Sequence, residues 1–160
     1  MSDLDDYKTD HLILLVGSNP LPNYVAAQLL WRKTKSESCL ILIHSDDTYL
    51  AAKRLQCLLI KQNPNLDKEN DFRLILVEEA NADDIHAKLS KIVEYVPFGD
   101  VGLNYTGGTK VMAVHAHHAV RDSLENRRLV CSYLDARSYE MRFDPPHQIA
   151  NKKVLTKVAR

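Results

Sequence analysis

His11-Leu-Ile-Leu-Leu-Val-Gly-Ser-Asn-Pro-Leu-Pro-Asn23 decides how the rest of this chain is read. From His11 to Val16 there is no polar alternation. That pattern marks a strand buried on both faces of a parallel sheet, where a half-exposed strand would alternate. Gly17-Ser-Asn-Pro20 ends the run. Beyond it Tyr24, Ala27, Leu30 and Trp31 recur at three and four residues, so Leu21 to Lys33 is expected as a helix. Pro22 sits near its start, where a missing N–H costs little.

The same strand–loop–helix unit repeats outward from this stretch. Cys39 to His44 reads as a second buried strand, with Asp46 or Asp47 capping a helix to about Gln62. Phe72 to Val77 is a third strand. Asn81-Ala-Asp-Asp84 opens a helix to about Tyr95, with Ile85, Leu89 and Ile92 on one face. Asp100 to Asn104 is a short fourth strand, followed by a helix from Thr109 to Glu125. Arg128 to Leu134 and Tyr139 to Phe143 read as a hairpin around Asp135-Ala-Arg-Ser138. Four β-α units and a hairpin predict an α/β fold: a Rossmann-like three-layer domain, its sheet mostly parallel with a C-terminal β-hairpin.

Composition bounds the partners. The 160 residues carry 21 Lys+Arg against 21 Asp+Glu, so no basic excess exists for bulk DNA or RNA binding. No apolar run approaches a membrane span of roughly 18 residues. Residues 1–10 are expected as a polar N-terminal tail rather than a secretory signal. Cys39, Cys57 and Cys131 are far apart in apolar surroundings, which predicts buried, reduced thiols in a cytoplasmic protein. Residues 11–146 are expected to form the ligand-binding domain. Residues 147–160, following Pro145-Pro146, are expected as a linker or tail leading to a missing effector domain.

In a doubly wound sheet, ligands bind beyond the carboxyl ends of the strands where strand order reverses, here between strands one and four. The two most unusual loops follow those strands: Gly17 to Asn23, and Asn104-Tyr-Thr-Gly-Gly-Thr-Lys110. In the second loop, Gly107 and Gly108 permit close backbone approach. The next helix presents free N–H groups and the positive end of its dipole. Thr106 and Thr109 add hydroxyls, and Lys110 the loop's only positive charge. A tight strand-to-helix turn with Thr109 as an ordinary N-cap accounts for the same residues. In the first loop, Ser18 and Asn19 offer polar groups while Pro20 and Pro22 stiffen the helix entry. Asn23 and Tyr24 offer a hydrogen bond and a stacking face, or alternatively a cap and a core side chain.

Other α/β readings fail on detail. No Gly-x-Gly-x-x-Gly follows strand one, and the Lys of the second loop comes after the Thr, against the P-loop order. His115 and His118 share a helix face, yet neither a His-Glu-x-x-His pattern nor a Cys/Asp partner lies nearby in sequence, so no metal is expected. Glu78/Glu79 and Asp46/Asp47 fit either ribose hydroxyls or helix caps on a solvated edge. Asp135 and Arg137 are turn residues.

Together the two loops, Gly17 to Asn23 and Leu103-Asn-Tyr-Thr-Gly-Gly-Thr-Lys-Val-Met112, resemble those of the CRISPR-associated Rossmann fold (CARF) domain of type III CRISPR ancillary effectors, over about His11 to Phe143. The resemblance implies a homodimeric sensor that binds a cyclic oligoadenylate across the subunit interface, cyclic tetra-adenylate before hexa-adenylate, and controls a covalently linked effector in antiviral defence. It implies a ligand but no cofactor. Gly17, Ser18, Asn19, Pro20, Asn23, Tyr24, Asn104, Thr106, Gly107, Gly108, Thr109 and Lys110 would line the pocket. Adenines would lie near Tyr24 and the ends of strands two and three. Some CARF proteins are ring nucleases, in which a ribose 2′-hydroxyl attacks the adjacent phosphorus without a metal and leaves a 2′,3′-cyclic phosphate. Lys110, Thr106 and Ser18 would assist that step here. An unrelated α/β mononucleotide-binding protein is the remaining alternative.

Overall fold

The strand β1 (His11–Leu15) buries every residue, and its alternation explains the unbroken apolar run. Leu12, Leu14 and Val16 belong to one hydrophobic cluster, Ile13 and Leu15 to another on the opposite face. The computed structural model describes residues 4–33 and 37–145 and the backbone of residues 154–155. In β2 (Leu40–His44) the division repeats, with Leu40 and Leu42 in the first cluster and Ile41 and Ile43 in the second. Helices α1 (Leu21–Leu30) and α2 (Tyr49–Gln62) cover the first face. Helices α3 (Ala82–Leu89) and α4 (Lys110–Leu124) cover the second. These are the three layers expected.

The remaining strands are β3 (Phe72–Leu76), β4 (Val101–Asn104), β5 (Leu129–Asp135), β6 (Glu140–Phe143) and β7 (Val154–Leu155). Their order is β3-β2-β1-β4-β5-β6-β7, parallel through β5 and antiparallel from β5 to β7. Strand order therefore reverses between β1 and β4. The expected hairpin closes at Asp135, whose carboxylate accepts from Arg137 N at 3.1 Å and pairs with Arg142 at 3.3 Å.

Several boundaries differ from expectation. Neither Asp46 nor Asp47 caps α2; Thr48 holds that position, its Oγ1 accepting from Ser45 N at 2.8 Å. α1 stops at Leu30 because Trp31 leaves the helix to bridge Thr9 in parallel. The third helix ends at Leu89, and Ile92–Glu94 form only a short 3-10 turn that still buries Ile92. Cys39 and Cys131 are buried free thiols, but Cys57, also expected inside, is exposed on α2.

Near β6 the fold takes in residues from outside the expected span of 11–146. Tyr7 is buried, its ring stacked on Phe143 at 3.8 Å, and Leu4 joins the same cluster. Residues 154–155 pair with β6 as a further strand. At the amino ends of the strands, Asp10 and Asp100 meet Arg32 and Arg128 in a charged network. No helix among the described residues is long and apolar enough to cross a membrane.

Candidate functional site

At the carboxyl ends of β1 and β4 the two loops touch. Gly107 leaves no room for a side chain: a β-carbon there would stand 2.3 Å from Leu15 O and 2.6 Å from Gly17 N. Gly108 takes φ +80°, a conformation that favours glycine, and packs over Leu15 and Met112. Thr109 begins extended and caps α4, its Oγ1 accepting from Met112 N at 3.1 Å. The same hydroxyl donates to Glu79 O at 2.9 Å and ties the loop to the end of β3.

Two buried asparagines hold these loops from beneath. Asn23, fully buried on α1, donates from Nδ2 to Leu15 O at 2.8 Å and accepts from Gly17 N at 3.4 Å. Asn104, also fully buried, donates to Ser132 Oγ at 3.0 Å. Its Oδ1 accepts from Thr106 N at 3.2 Å and from Thr106 Oγ1 at 2.7 Å. Thr106 Oγ1 in turn accepts from Leu134 N at 2.8 Å. Asn23, Asn104, Thr106 and Thr109 therefore position the backbone, and their polar groups are turned into the protein.

Ser18, Asn19, Gly108 and Lys110 are exposed on the crest above. Asn19 also accepts from Leu21 N at 3.1 Å and so secures the start of α1. Neither α1 nor α4 carries an acidic residue in its first turn, so the positive ends of both dipoles are uncancelled. α3 differs, with Asp83 and Asp84 in its first turn. A cleft of about 390 Å³ lies beside this crest at the ends of β2 and β3, lined by Ser45, Asp46, Asp47, Glu78, Glu79 and Lys88 among others. The sheet's carboxyl edge thus divides into a cationic half at β1/β4 and an acidic half at β2/β3.

Two residues of the first loop lie elsewhere than the crest. Tyr24 is half-buried and packs against the α1/α2 core. Pro20 borders an apolar groove with Leu50, Lys53, Arg54, Cys57 and Leu58, between α1 and α2. Among the histidines, His115 pairs with His86 of α3, at 3.1 Å between Nδ1 and Nε2. His118 shares that face as expected, its ring 5.8 Å from the same His86, and its Nε2 stands 3.8 Å from Asp122. Sequence spacing missed both Glu79 as a partner of Thr109 and the meeting of His117, Cys131 and Asp144. No periodicity signals contacts between separate elements.

The Card1 CARF domain family matches residues 11–155 of the chain. No curated protein matches. Among solved structures, Can2 from Sulfobacillus thermosulfidooxidans in complex with cyclic tetra-adenylate superposes with TM-score 0.62 and 19% identity, covering 83% of this chain and 34% of Can2. VC1899 from Vibrio cholerae gives TM-score 0.68 and 15% identity, covering 91% of this chain and 35% of VC1899. The chain thus spans about a third of the length of each.

Proposed function

The chain belongs to the Card1 CARF domain family, and on that premise we propose that it is a sensor for a cyclic oligoadenylate, cyclic tetra-adenylate first, bound across a homodimer on the β1/β4 crest. The observation that carries this reading is the packing of Gly17 on Gly107 and Gly108 at the strand-order reversal. It leaves Ser18, Asn19, Gly108 and Lys110 exposed around two helix N-termini. Phosphates bind where backbone N–H groups, helix dipoles and one lysine converge, so a neutral protein holds an anion without a basic surface. The adjoining carboxylates of Asp46, Asp47 and Glu79 offer acceptors to adenine amino groups or ribose hydroxyls. A two-fold ligand presents the same half to each subunit of an isologous dimer. A linked effector domain completes the sensor in this proposal.

Cleavage of the ring is less favoured. Of the three residues expected to assist it, Thr106 has its hydroxyl engaged with Asn104 and Leu134 N, leaving Ser18 and Lys110. Family membership also sets aside an unrelated mononucleotide-binding protein.

Mixing the protein with cyclic tri-, tetra- and hexa-adenylate tests the reading, with calorimetry for binding and chromatography for products. Saturable binding of cyclic tetra-adenylate at one ring per two chains, with the ring intact, is expected. Linear products ending in a 2′,3′-cyclic phosphate would reassign the protein as a ring nuclease. Binding of none of the rings would overturn both.

A further inference from the structure

Away from the crest, on the α4 face of the sheet, three side chains from three elements converge. They are His117 of α4, Cys131 of β5 and Asp144, the residue after β6. One ligand atom from each lies within 4.8 Å of the other two, and His117 Nε2 stands 3.7 Å from Asp144 Oδ2. The sheet register explains the meeting. Ser132 pairs with Phe143, so Cys131 and Asp144 are the next antiparallel pair and point to the same face, and Asp144 N donates to Cys131 O at 2.9 Å. Cys131 belongs to the cluster under α4, while Phe143 faces the other layer.

We propose that His117, Cys131 and Asp144 bind one divalent transition-metal ion, with Zn2+ the best match. The donors are an imidazole nitrogen, a sulfur and a carboxylate oxygen. Zinc accepts all three types tetrahedrally at about 2.0–2.3 Å, whereas Mg2+ and Ca2+ take oxygen donors. Ligand atoms around such an ion stand roughly 3.3–3.8 Å apart. Side-chain adjustment of about an ångström brings the three there.

The surroundings fit an ion. The Tyr105 hydroxyl donates to Asp144 Oδ1 at 2.5 Å, which orients the carboxylate and leaves Oδ2 toward His117. His117 and Asp144 retain 31% and 26% side-chain exposure, enough for entry and for a water in the fourth position. Arg121, one turn beyond His117, faces His117 and hydrogen-bonds the Cys131 sulfur. Its side chain is otherwise exposed, and ion binding replaces that hydrogen bond as the guanidinium turns outward. A divalent ion with one thiolate and one carboxylate sums to zero charge, so Arg121 faces no net repulsion. Binding releases the thiol proton of Cys131 to solvent and forms the metal–sulfur bond, with no redox change. The ion would clamp α4 to the β5–β6 hairpin.

Zn2+ and Co2+ titrations of the intact chain test the proposal, in a Cys57→Ser background that removes the exposed thiol. One Zn2+ per chain by competition with a chromogenic chelator is expected, with a thiolate-to-cobalt charge-transfer band for Co2+. Cys131→Ser should abolish the band, and Asp144→Asn and His117→Gln should each weaken Zn2+ binding more than about tenfold. If Cys131→Ser does not fold, loss of affinity in the other two variants carries the test. Absence of Zn2+ binding by the Cys57→Ser chain, or equal affinity in all folded variants, would overturn the site. None of these readouts depends on a nucleotide ligand.

Discussion

Gly107 sits against Gly17 so closely that a β-carbon on Gly107 would lie 2.6 Å from the Gly17 nitrogen. The reverse is not true. A β-carbon on Gly17 would meet Gly107 Cα at 3.4 Å, an ordinary contact. The two loops are joined through one residue that must lack a side chain, and that asymmetry is measurable. Gly107→Ala is expected to cost about 1–3 kcal/mol by overpacking against backbone that cannot move aside. Gly17→Ala should cost much less. Urea unfolding of both variants checks this, and equal midpoints for Gly107→Ala and the parent would refute the packing.

Lys110 is exposed at the first turn of α4, at the positive end of its dipole. If it meets a phosphate, Lys110→Ala removes a charge-assisted hydrogen bond worth about 1.5–3 kcal/mol. That corresponds to roughly 10- to 100-fold weaker binding of cyclic tetra-adenylate. The melting temperature should hardly move. A variant that unfolds, while its folded fraction binds normally, would remove Lys110 from the site.

Asn104 and Thr106 form one buried network that reaches Ser132 and Leu134 N. Truncating Asn104 to Ala leaves the Thr106 N–H without its acceptor, at a cost of about 1–3 kcal/mol. Thr106→Ala breaks the same network, so the double variant should lose less than the sum of the singles. A double-mutant cycle by denaturant unfolding measures the coupling, expected at or above about 0.5 kcal/mol. Strict additivity would show that the two side chains act independently.

His11 is fully buried and held neutral by its partners: Nδ1 accepts from Cys39 N at 3.2 Å, leaving Nε2 to donate to Phe98 O at 2.9 Å. Burial pushes its pKa below the ordinary value, chiefly by desolvating the charged form. His117 is displaced in the same direction, again mainly by burial. The unfolded chain therefore holds more protons below about pH 6.5, and stability falls as pH drops through that value. Above it these histidines contribute no slope. Melting curves from pH 7.5 to 5 test the profile, and an NMR titration of His11 above about pH 6.5 would contradict it.

The three thiols should separate by reactivity. Burial raises Cys39 to about 11 and Cys131 to about 12, whereas Cys57 is exposed. In the native protein at pH 8, an aromatic disulfide reagent should consume Cys57 promptly and spare the other two until unfolding. Rapid native reaction of Cys131 would show that the α4 face opens.

Much of the fold was legible in the sequence because burial on both faces of a parallel sheet leaves an unbroken apolar run. The stretches at His11 and Cys39 carry that mark, whereas Phe72–Leu76, interrupted by Arg73, is a partly exposed edge strand. The turn residues at Gly17, Asn81 and Gly107 punctuate the run of elements. Legibility failed where a residue's fate depends on a distant partner. Tyr7 looks like part of a polar tail, yet its ring finds Phe143. Asp46 and Asp47 look like caps, yet Thr48 takes the position. The site shows the same division. Ser18, Asn19, Gly108 and Lys110 stand exposed at the carboxyl ends of β1 and β4, while Asn23, Asn104, Thr106 and Thr109 turn their polar groups inward.

By itself, then, the sequence determined the alternation of strands and helices, the likeness to CARF domains and the two loops at the strand-order reversal. Periodicity and backbone-permissive glycines are local properties, readable from neighbours along the chain. Only the tertiary structure decided which polar groups of those loops stand exposed and which hold the loops in place, and it alone brought His117, Cys131 and Asp144 together. Those outcomes rest on strand register and helix packing, which set distances between residues that the chain keeps far apart.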